Sequence, residues 1–289
     1  MELLQLKYFC DAAKTQNFSQ TARKFSVPTS NISNAIKRLE VEFECQFFDH
    51  FSNKIALNEQ GRIFYKKVSS ALLLLEDAQT MVKEYSNVPC GEIRLRCKSN
   101  RGIVTQAMED FNKVYPNVKF RMNFGEAPMS DIDIMISYNI PMVEAEEKVF
   151  ILEEELPIAM HKSNPLASKE DLEVIDLKNE RFIVGLSVQT NSECRNAGFI
   201  PNIAFELNDP AYVRKYIEMG LGVAFIPAIS WRGKFSDDVV LKSVGVKRKT
   251  FAYLPKNKYT KKSVEKFLEF LLAAAKNAVD EYEADKAQI

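Results

Sequence analysis

Thr29-Ser30-Asn31-Ile32-Ser33-Asn34-Ala35-Ile36-Lys37-Arg38-Leu39-Glu40 carries two faces wound on one helical period. Ile32, Ile36, Leu39 and the following Phe43 recur at spacings of three and four, which predicts an apolar stripe turned to a core. Ser30, Ser33, Asn34 and Lys37 fall at i, i+3, i+4 and i+7 on another face. Small polar groups with one cation suit a major groove, where they can bond base edges and phosphates. A solvated surface helix would carry the same pattern, so the flanking sequence has to decide.

Upstream, Leu3, Leu6, Cys10 and Ala13 predict one helix, and Phe18, Ala22 and Phe25 predict a second with Ser19 as its N-cap. The connector Phe25-Ser26-Val27-Pro28-Thr29 is short, and Pro28 fits a stop followed by a new start. Two short helices, a tight turn and a polar third face together favour a nucleic-acid reader. Charge agrees. Residues 1–39 hold six Lys and Arg against two acidic groups, and residues 40–50 hold Glu40, Glu42, Glu44 and Asp49 with no Lys or Arg. The 289-residue chain balances 39 basic against 39 acidic side chains, so its positive surface is local, as phosphate contact requires. With 46% apolar and 27% charged residues the composition is globular. It excludes collagen, a disulfide miniprotein, a disordered chain and a uniformly basic binder.

Downstream, Asp49 to Asn53 is turn-prone between apolar segments and predicts a hairpin or wing, with Lys54 at its edge in reach of a phosphate and His50 packing within it. Asn58 can cap a helix running from about Arg62 to Tyr85. Phe64, Val68, Ala71, Leu75, Ala78, Val82 and Tyr85 alternate spacings of four and three, a heptad seam. At 1.5 Å per residue this helix extends roughly 40 Å, longer than a small domain needs, and we read it as a dimerisation helix rather than a core helix. Asn87-Val88-Pro89-Cys90-Gly91 breaks it and marks a boundary.

Met1 to Lys7 shows no basic region leading into an apolar stretch, so no secretory signal is expected. The most apolar segments, Ala71 to Leu75 and Phe267 to Ala275, are too short to span a membrane. Five widely spaced cysteines without C-x-x-C argue for reduced thiols in a cytoplasmic protein. With His50 and His161 the only histidines, a multi-histidine metal site is unavailable, and the expectation is of no cofactor.

Leu6-Lys7-Tyr8-Phe9, Phe18-Ser19-Gln20-Thr21-Ala22, Ser33-Asn34-Ala35-Ile36-Lys37-Arg38-Leu39-Glu40, Phe47-Phe48 and Leu57-Asn58-Glu59-Gln60-Gly61 fall in one order over sixty residues. In that order they resemble the winged helix-turn-helix of LysR-type transcriptional regulators. The resemblance implies a recognition helix within Thr29 to Arg38. It also implies a DNA-contacting set of Ser19, Thr29, Ser30, Ser33, Asn34, Lys37, Arg38 and Lys54. The chain departs from the family where Pro28-Thr29-Ser30 replaces a frequent Ser-Gln-Pro, and where Asn34 stands for a frequent Arg. An altered operator or weaker non-specific affinity is therefore expected.

From Gly91 strands and helices alternate. Ile93, Leu95 and Cys97, then Val118, Phe120, Met122 and Phe124, then Ile132, Ile134 and Ile136 read as strands, with an amphipathic helix from Val104 to Val114. This predicts an α/β unit with a parallel sheet, whose ligands bind beyond strand carboxyl ends. Lys98-Ser99-Asn100-Arg101-Gly102 lies at such an end and could hold a small anion or simply cap the helix. Phe111-Asn112-Lys113-Val114-Tyr115-Pro116, Asp131-Ile132-Asp133-Ile134, Ala197-Gly198-Phe199-Ile200-Pro201 and Met219 to Pro227 resemble the family's two-lobed, periplasmic-binding-protein-like effector domain.

That resemblance implies residues 1–58 as the DNA-binding domain, 59–88 as the linker helix and 89–289 as the regulatory domain. Its first lobe would span about 91–157 and 251–289, and its second about 158–250. Effector contacts are implied at Ser99, Asn100, Ser137, Gly185, Ser187, Val223 and Ala224, with His161 structural. Arg101 and Arg214 would favour an anionic effector if they reached it. The implied partners are double-stranded promoter DNA, a small-molecule effector, a second or further copies of the chain as dimer or tetramer, and RNA polymerase. No membrane partner is expected. The alternatives are an α/β enzyme carrying the same N-terminal module, or a ligand-independent DNA-binding protein. No G-x-S-x-G, Walker loop, G-x-G-x-x-G or H-E-x-x-H supports the enzyme.

Overall fold

The computed structural model describes residues 1–51, 54–84, 89–124, 131–138, 145–185, 189–255 and 259–286. The chain divides into two compact units, Met1–Val88 and Pro89–Ile289.

The first unit runs α1 (Leu3–Thr15), α2 (Phe18–Lys24), α3 (Thr29–Glu42), an antiparallel pair β1 (Phe48–Phe51) and β2 (Lys54–Leu57), then α4 (Glu59–Glu84). A capping box between Glu2 and Gln5 starts α1. The α2 cap is Asn17, whose carbonyl oxygen accepts from Gln20 N at 3.0 Å. Ser19 is therefore not the cap expected from sequence; Asn17, two residues earlier, is better placed to reach the free amides, and Ser19 stands exposed in the first turn. Ile32, Ala35, Ile36 and Leu39 seat α3 on a core centred on Phe9, whose ring meets Phe47, Phe48 and Phe64 edge-on at 5.2, 5.7 and 5.0 Å. Each buried Ile or Leu contributes roughly 1.5–3 kcal/mol. Phe43 leaves the stripe at the C-cap, 42% exposed, and leans on Phe47 and Phe64.

Glu40 has an internal task, accepting from Phe47 N at 2.8 Å and fixing the entry to the wing. Asn58 caps α4 as expected, taking Gly61 N at 2.8 Å while its amide donates to Gln46 O at 2.8 Å. The helix starts at Glu59, three residues earlier than its periodicity suggested. A Cβ at Gly61 would stand 2.1 Å from the Phe47 carbonyl oxygen and 2.7 Å from Leu57 Cδ2. We expect Gly61→Ala to displace the wing from α4 and lower the stability of this unit by about 1–3 kcal/mol or more. An unchanged denaturant midpoint would contradict that close approach.

The seam of α4 is shared between two uses. Phe64 and Val68 turn inward to the α1–α3 core, together with Leu72. Beyond them Ala71, Leu75, Ala78 and Val82 are exposed, beside exposed Leu74 and Met81. Among the described residues the second half of the expected seam presents an exposed apolar face, and Tyr85 lies outside them.

In the second unit β3 (Glu92–Cys97), β4 (Lys119–Asn123), β5 (Ile134–Tyr138), β6 (Ala145–Glu155) and β12 (Lys247–Pro255) form a five-stranded sheet in the order β4-β3-β5-β12-β6. β3 pairs parallel with β4 and β5, and β12 pairs antiparallel with β5 and β6. Helices α5 (Arg101–Val114) and α8 (Lys262–Lys286) cover one face: Ile103, Val104, Ala107 and Phe111 meet Val264, Phe267, Leu271 and Ala275 above Ile93, Leu95, Ile134 and Ile136. β12 begins at Lys247, so the chain returns to this sheet four residues before the expected Phe251. The other face of β3 is buried too. Arg94 there donates to Asp133 through N at 2.8 Å, Nε at 3.1 Å and Nη2 at 3.0 Å, and Lys261 Nζ reaches the same carboxylate at 3.1 Å.

The second lobe joins β7 (Ile158–His161), β8 (Arg181–Val184), α6 (Gln189–Asn196), β9 (Asn202–Glu206), α7 (Pro210–Glu218), β10 (Ala224–Phe225) and β11 (Val239–Lys242). β7 lies between β10 and β11, and β8 pairs parallel with β9. Val223 bridges the two ladders, donating to Arg181 O at 2.8 Å and accepting from Ile183 N at 2.9 Å. That approach explains Gly222, where a Cβ would stand 2.4 Å from the Arg181 carbonyl oxygen. Asp209 caps α7 by accepting from Ala211 N at 2.8 Å, with Pro210 in its first turn.

Candidate nucleic-acid interface and inter-lobe site

The stripe of Ile32, Ile36 and Leu39 holds α3 with its opposite face outward. Thr29, Ser30, Ser33, Asn34, Lys37 and Arg38 are all exposed, and among the described residues none of them makes a side-chain hydrogen bond or ion pair. No side chain caps the α3 N-terminus, which follows Pro28. Its first amides and the positive end of its dipole are open to a phosphate. Not every cation of this unit is equally available. Lys24 pairs with the buried carboxylate of Asp11, and the Met1 amine lies 2.7 Å from Glu42. Arg23, Lys37 and Arg38 make no such pair among the described residues and are exposed. Lys54 lies at the start of β2 as expected, but its side chain, like that of His50, lies outside the described residues.

At the junction of the two lobes the observed arrangement is richer than the one expected. β6 and β12 lead into and out of the second lobe, and their register sets Lys247, Arg248 and Lys249 opposite Glu155, Glu154 and Glu153. The central pair is buried: Arg248 Nη2 donates to Glu154 Oε1 at 2.6 Å, with 10% and 0% of the two side chains exposed. Glu154 also accepts from Asn100 Nδ2 at 3.0 Å and from the backbone amides of Ile229 and Ser230 at 3.2 Å each. The Asn100 amide reaches Ser230 Oγ at 2.7 Å, and its carbonyl oxygen accepts from Thr250 Oγ1 at 2.8 Å. The Arg248 guanidinium lies 5.3 Å from the Tyr138 ring centre. These bonds hold Asn100 in the left-handed region at φ 55°, where it precedes α5.

Asn100 is thus a structural tie between the α5 N-terminus and both crossover strands, with both atoms of its amide engaged. Beside it, Ser99 is buried and its hydroxyl has no partner among the described residues. No side chain caps α5, and a Cβ at Gly102 would meet nothing within 4 Å. Ser99 therefore does not cap the helix, and it and the first turn of α5 keep donors free.

Ser137 is buried as well, and its hydroxyl too has no partner among the described residues. Ile134 and Ile136 face α5 and α8, so alternation turns Ser137 to the opposite face with Met135 and its cross-strand neighbour Phe251. Val223 and Ala224 are buried in the second-lobe core, and ladder bonds occupy the Val223 amide and carbonyl. Gly185 follows β8 and is half-buried, and Ser187 lies outside the described residues. Arg101 stacks on Phe124 at 4.6 Å and Arg214 on Trp231 at 5.2 Å. His161 Nδ1 lies 2.7 Å from Ser163 Oγ.

A depression of about 410 Å³ elsewhere in the second lobe is lined by Glu170, Asp171, Glu173 and Val244 among others, and its carboxylates disfavour an acidic ligand. Burial pushes the Cys10 thiol up to about 12 and those of Cys97 and Cys194 to about 11, so all three stay protonated. Among the described residues no cluster suits a metal ion and no helix is long and apolar enough to cross a membrane.

Two family models match this chain: "Bacterial regulatory helix-turn-helix protein, lysR family" over residues 3–62, and "LysR substrate binding domain" over residues 86–276. Among curated relatives, the transcriptional dual regulator GltC of Bacillus subtilis is 27% identical over 290 residues, covering 94% of this chain and 97% of the relative. Among solved structures, CbnR complexed with its target DNA has a TM-score of 0.68 at 17% identity, covering 96% of this chain and 100% of the other. A full-length OxyR variant from Pseudomonas aeruginosa has a TM-score of 0.70 at 16% identity, covering 95% of this chain and 94% of the other.

Proposed function

Because the chain belongs to the LysR family of bacterial transcriptional regulators, we propose that it grips promoter DNA through α3 as a homo-oligomer and changes that grip when a small molecule binds between its lobes. The observation that carries the DNA half is the exposed face Thr29, Ser30, Ser33, Asn34, Lys37 and Arg38 on a helix whose other side is buried. GltC is a transcriptional dual regulator and CbnR was solved on its target DNA, which supports the same role here. The exposed apolar half of α4 offers a surface for a second copy, and pairing multiplies the modest cation count of one subunit.

The effector we propose is a small molecule with an acidic group, held by Ser99 and the uncapped N-terminus of α5. Its action is binding rather than catalysis, since the buried charges at the junction, Glu154 and Arg248, are committed to each other. We place the protein in the cytoplasm, where its DNA is.

The reading is tested by titrating labelled duplexes from the DNA flanking the chain's own gene with the full-length protein at low salt. Binding that survives excess unrelated DNA is expected; binding that competitor abolishes in every duplex would contradict it. For the effector, a screen of organic acids by thermal shift should yield a compound that, at a hundred times its Kd, adds about 2.7 kcal/mol. That corresponds to roughly 5–10 °C for a unit of this size. Ser99→Ala should remove most of that shift; a shift that survives would place the ligand elsewhere.

A further inference from the structure

We infer that Asn34 reads an A·T base pair in each operator half-site. The inference rests on the DNA-binding role proposed for α3 and goes beyond it by assigning one side chain to one base.

At about 100° of rotation per residue, Ile32, Ala35, Ile36 and Leu39 centre the buried stripe of α3, and Asn34 lies roughly 150° around the helix from that centre. It therefore points nearly straight away from the core, and its amide has no partner among the described residues. Its neighbours on the face are small: Ser30 lies one turn before it and Ser33 beside it, both exposed. A short side chain can reach a base only if the helix rides deep in the groove. Serines at these positions allow that depth, and the longer Lys37 and Arg38 lie toward the C-terminal side, where the groove wall carries phosphates.

The chemistry of the face then selects the base. Ser30, Ser33 and Thr29 carry hydroxyls that donate or accept and so discriminate weakly. Lys37 and Arg38 are cations equally suited to phosphates. Of the two exposed asparagines of α3, each joining one acceptor and one donor in a fixed plane, Asn31 lies only about 90° from the centre of the buried stripe, and Asn34 is the one turned away from the core. In the major groove adenine alone presents the matching donor and acceptor, N6–H and N7, on a single base. The Asn34 carbonyl oxygen accepts from N6 and its amide donates to N7. Guanine offers two acceptors at the same place, which leaves the Asn34 carbonyl oxygen facing O6.

The test uses the full-length chain and its Asn34→Ala variant, which removes only exposed atoms. Each selects from a pool of duplexes with a randomised core, and affinities are then measured on single duplexes. The wild-type selection should contain one fixed A·T pair per half-site that the variant selection loses, while the remaining fixed positions agree. Changing that pair to G·C in one half-site should weaken wild type roughly 10- to 100-fold and the variant less than about twofold. Replacing the adenine by 7-deaza-adenine removes only the N7 acceptor, and wild type should again weaken while the variant does not. A variant that keeps the A·T preference, or wild type indifferent to 7-deaza-adenine, overturns the assignment and points to groove shape instead. If wild type enriches no sequence at all, the assignment falls together with the proposed DNA-binding role.

Discussion

Glu154→Ala is expected to lower the unfolding free energy of the second unit by roughly 3–5 kcal/mol, because it leaves the Arg248 guanidinium buried without its counter-charge. Five donors converge on this carboxylate, from Asn100, Arg248, the amides of Ile229 and Ser230, and the Ser230 hydroxyl. Most of the cost belongs to the orphaned cation. Glu154→Leu combined with Arg248→Met should therefore be milder than Glu154→Ala alone, since apolar side chains of similar size replace a buried pair at little cost. Denaturant unfolding of the three proteins measures this. A loss below about 1 kcal/mol in Glu154→Ala, or a double variant worse than the single, would show that the network does not bind the crossover strands as described.

On the effector site proposed above, the same network is the expected route from ligand to movement. Ser99 and the α5 N-terminus adjoin Asn100, and Asn100 is bonded to residues of both crossover strands and to Ser230. A ligand that favours one arrangement of this tie shifts the balance between lobe positions. The milder double variant should keep its fold and lose the coupling between ligand and DNA affinity.

The second large effect concerns DNA. Ser33→Ala with Lys37→Ala should cut affinity for the selected duplex at least 100-fold without altering helix content or oligomeric state, since both residues are exposed and make no side-chain hydrogen bond or ion pair among the described residues. The two substitutions act differently. Loss of Lys37 removes one phosphate neutralisation, so the slope of log affinity against log salt should fall by about 0.9 for each subunit in contact. Loss of Ser33 should narrow the gap between specific and non-specific DNA while leaving the slope alone. Equal losses on specific and random duplexes for both single variants would show that this face touches only the backbone.

Much of this was legible in the sequence because it is periodic. The α3 stripe, the Asn58 cap and the alternation of Ile93, Leu95 and Cys97 each rest on neighbours in the chain. The α4 heptads were only half informative. A seam signals that a face is covered, not by what, and Phe64 and Val68 are covered by their own unit. Ser19 and Asn17 are both capping residues, and only the geometry of Gln20 N distinguishes them.

The inter-lobe site was the least legible. Ser99 sits where strand-end logic placed it, but Ser137 lies on the other face of the sheet. Period two assigns a face only once the strand register is known. Glu154 and Arg248 are 94 positions apart in the chain and meet through antiparallel pairing. A trace was available in advance, since Glu153-Glu154-Glu155 and Lys247-Arg248-Lys249 are matched runs of opposite charge.

The most direct measurement is a hydroxyl-radical footprint of the full-length chain on the DNA it selects, with and without the acid found by thermal shift. Protected patches should recur in pairs separated by whole helical turns of about 10 base pairs, as two α3 helices on one face of the duplex require. The acid should change their spacing or extent, and the Ser33→Ala, Lys37→Ala variant should leave the duplex unprotected. A single unpaired patch, or protection that both the acid and the variant leave unchanged, would contradict the account.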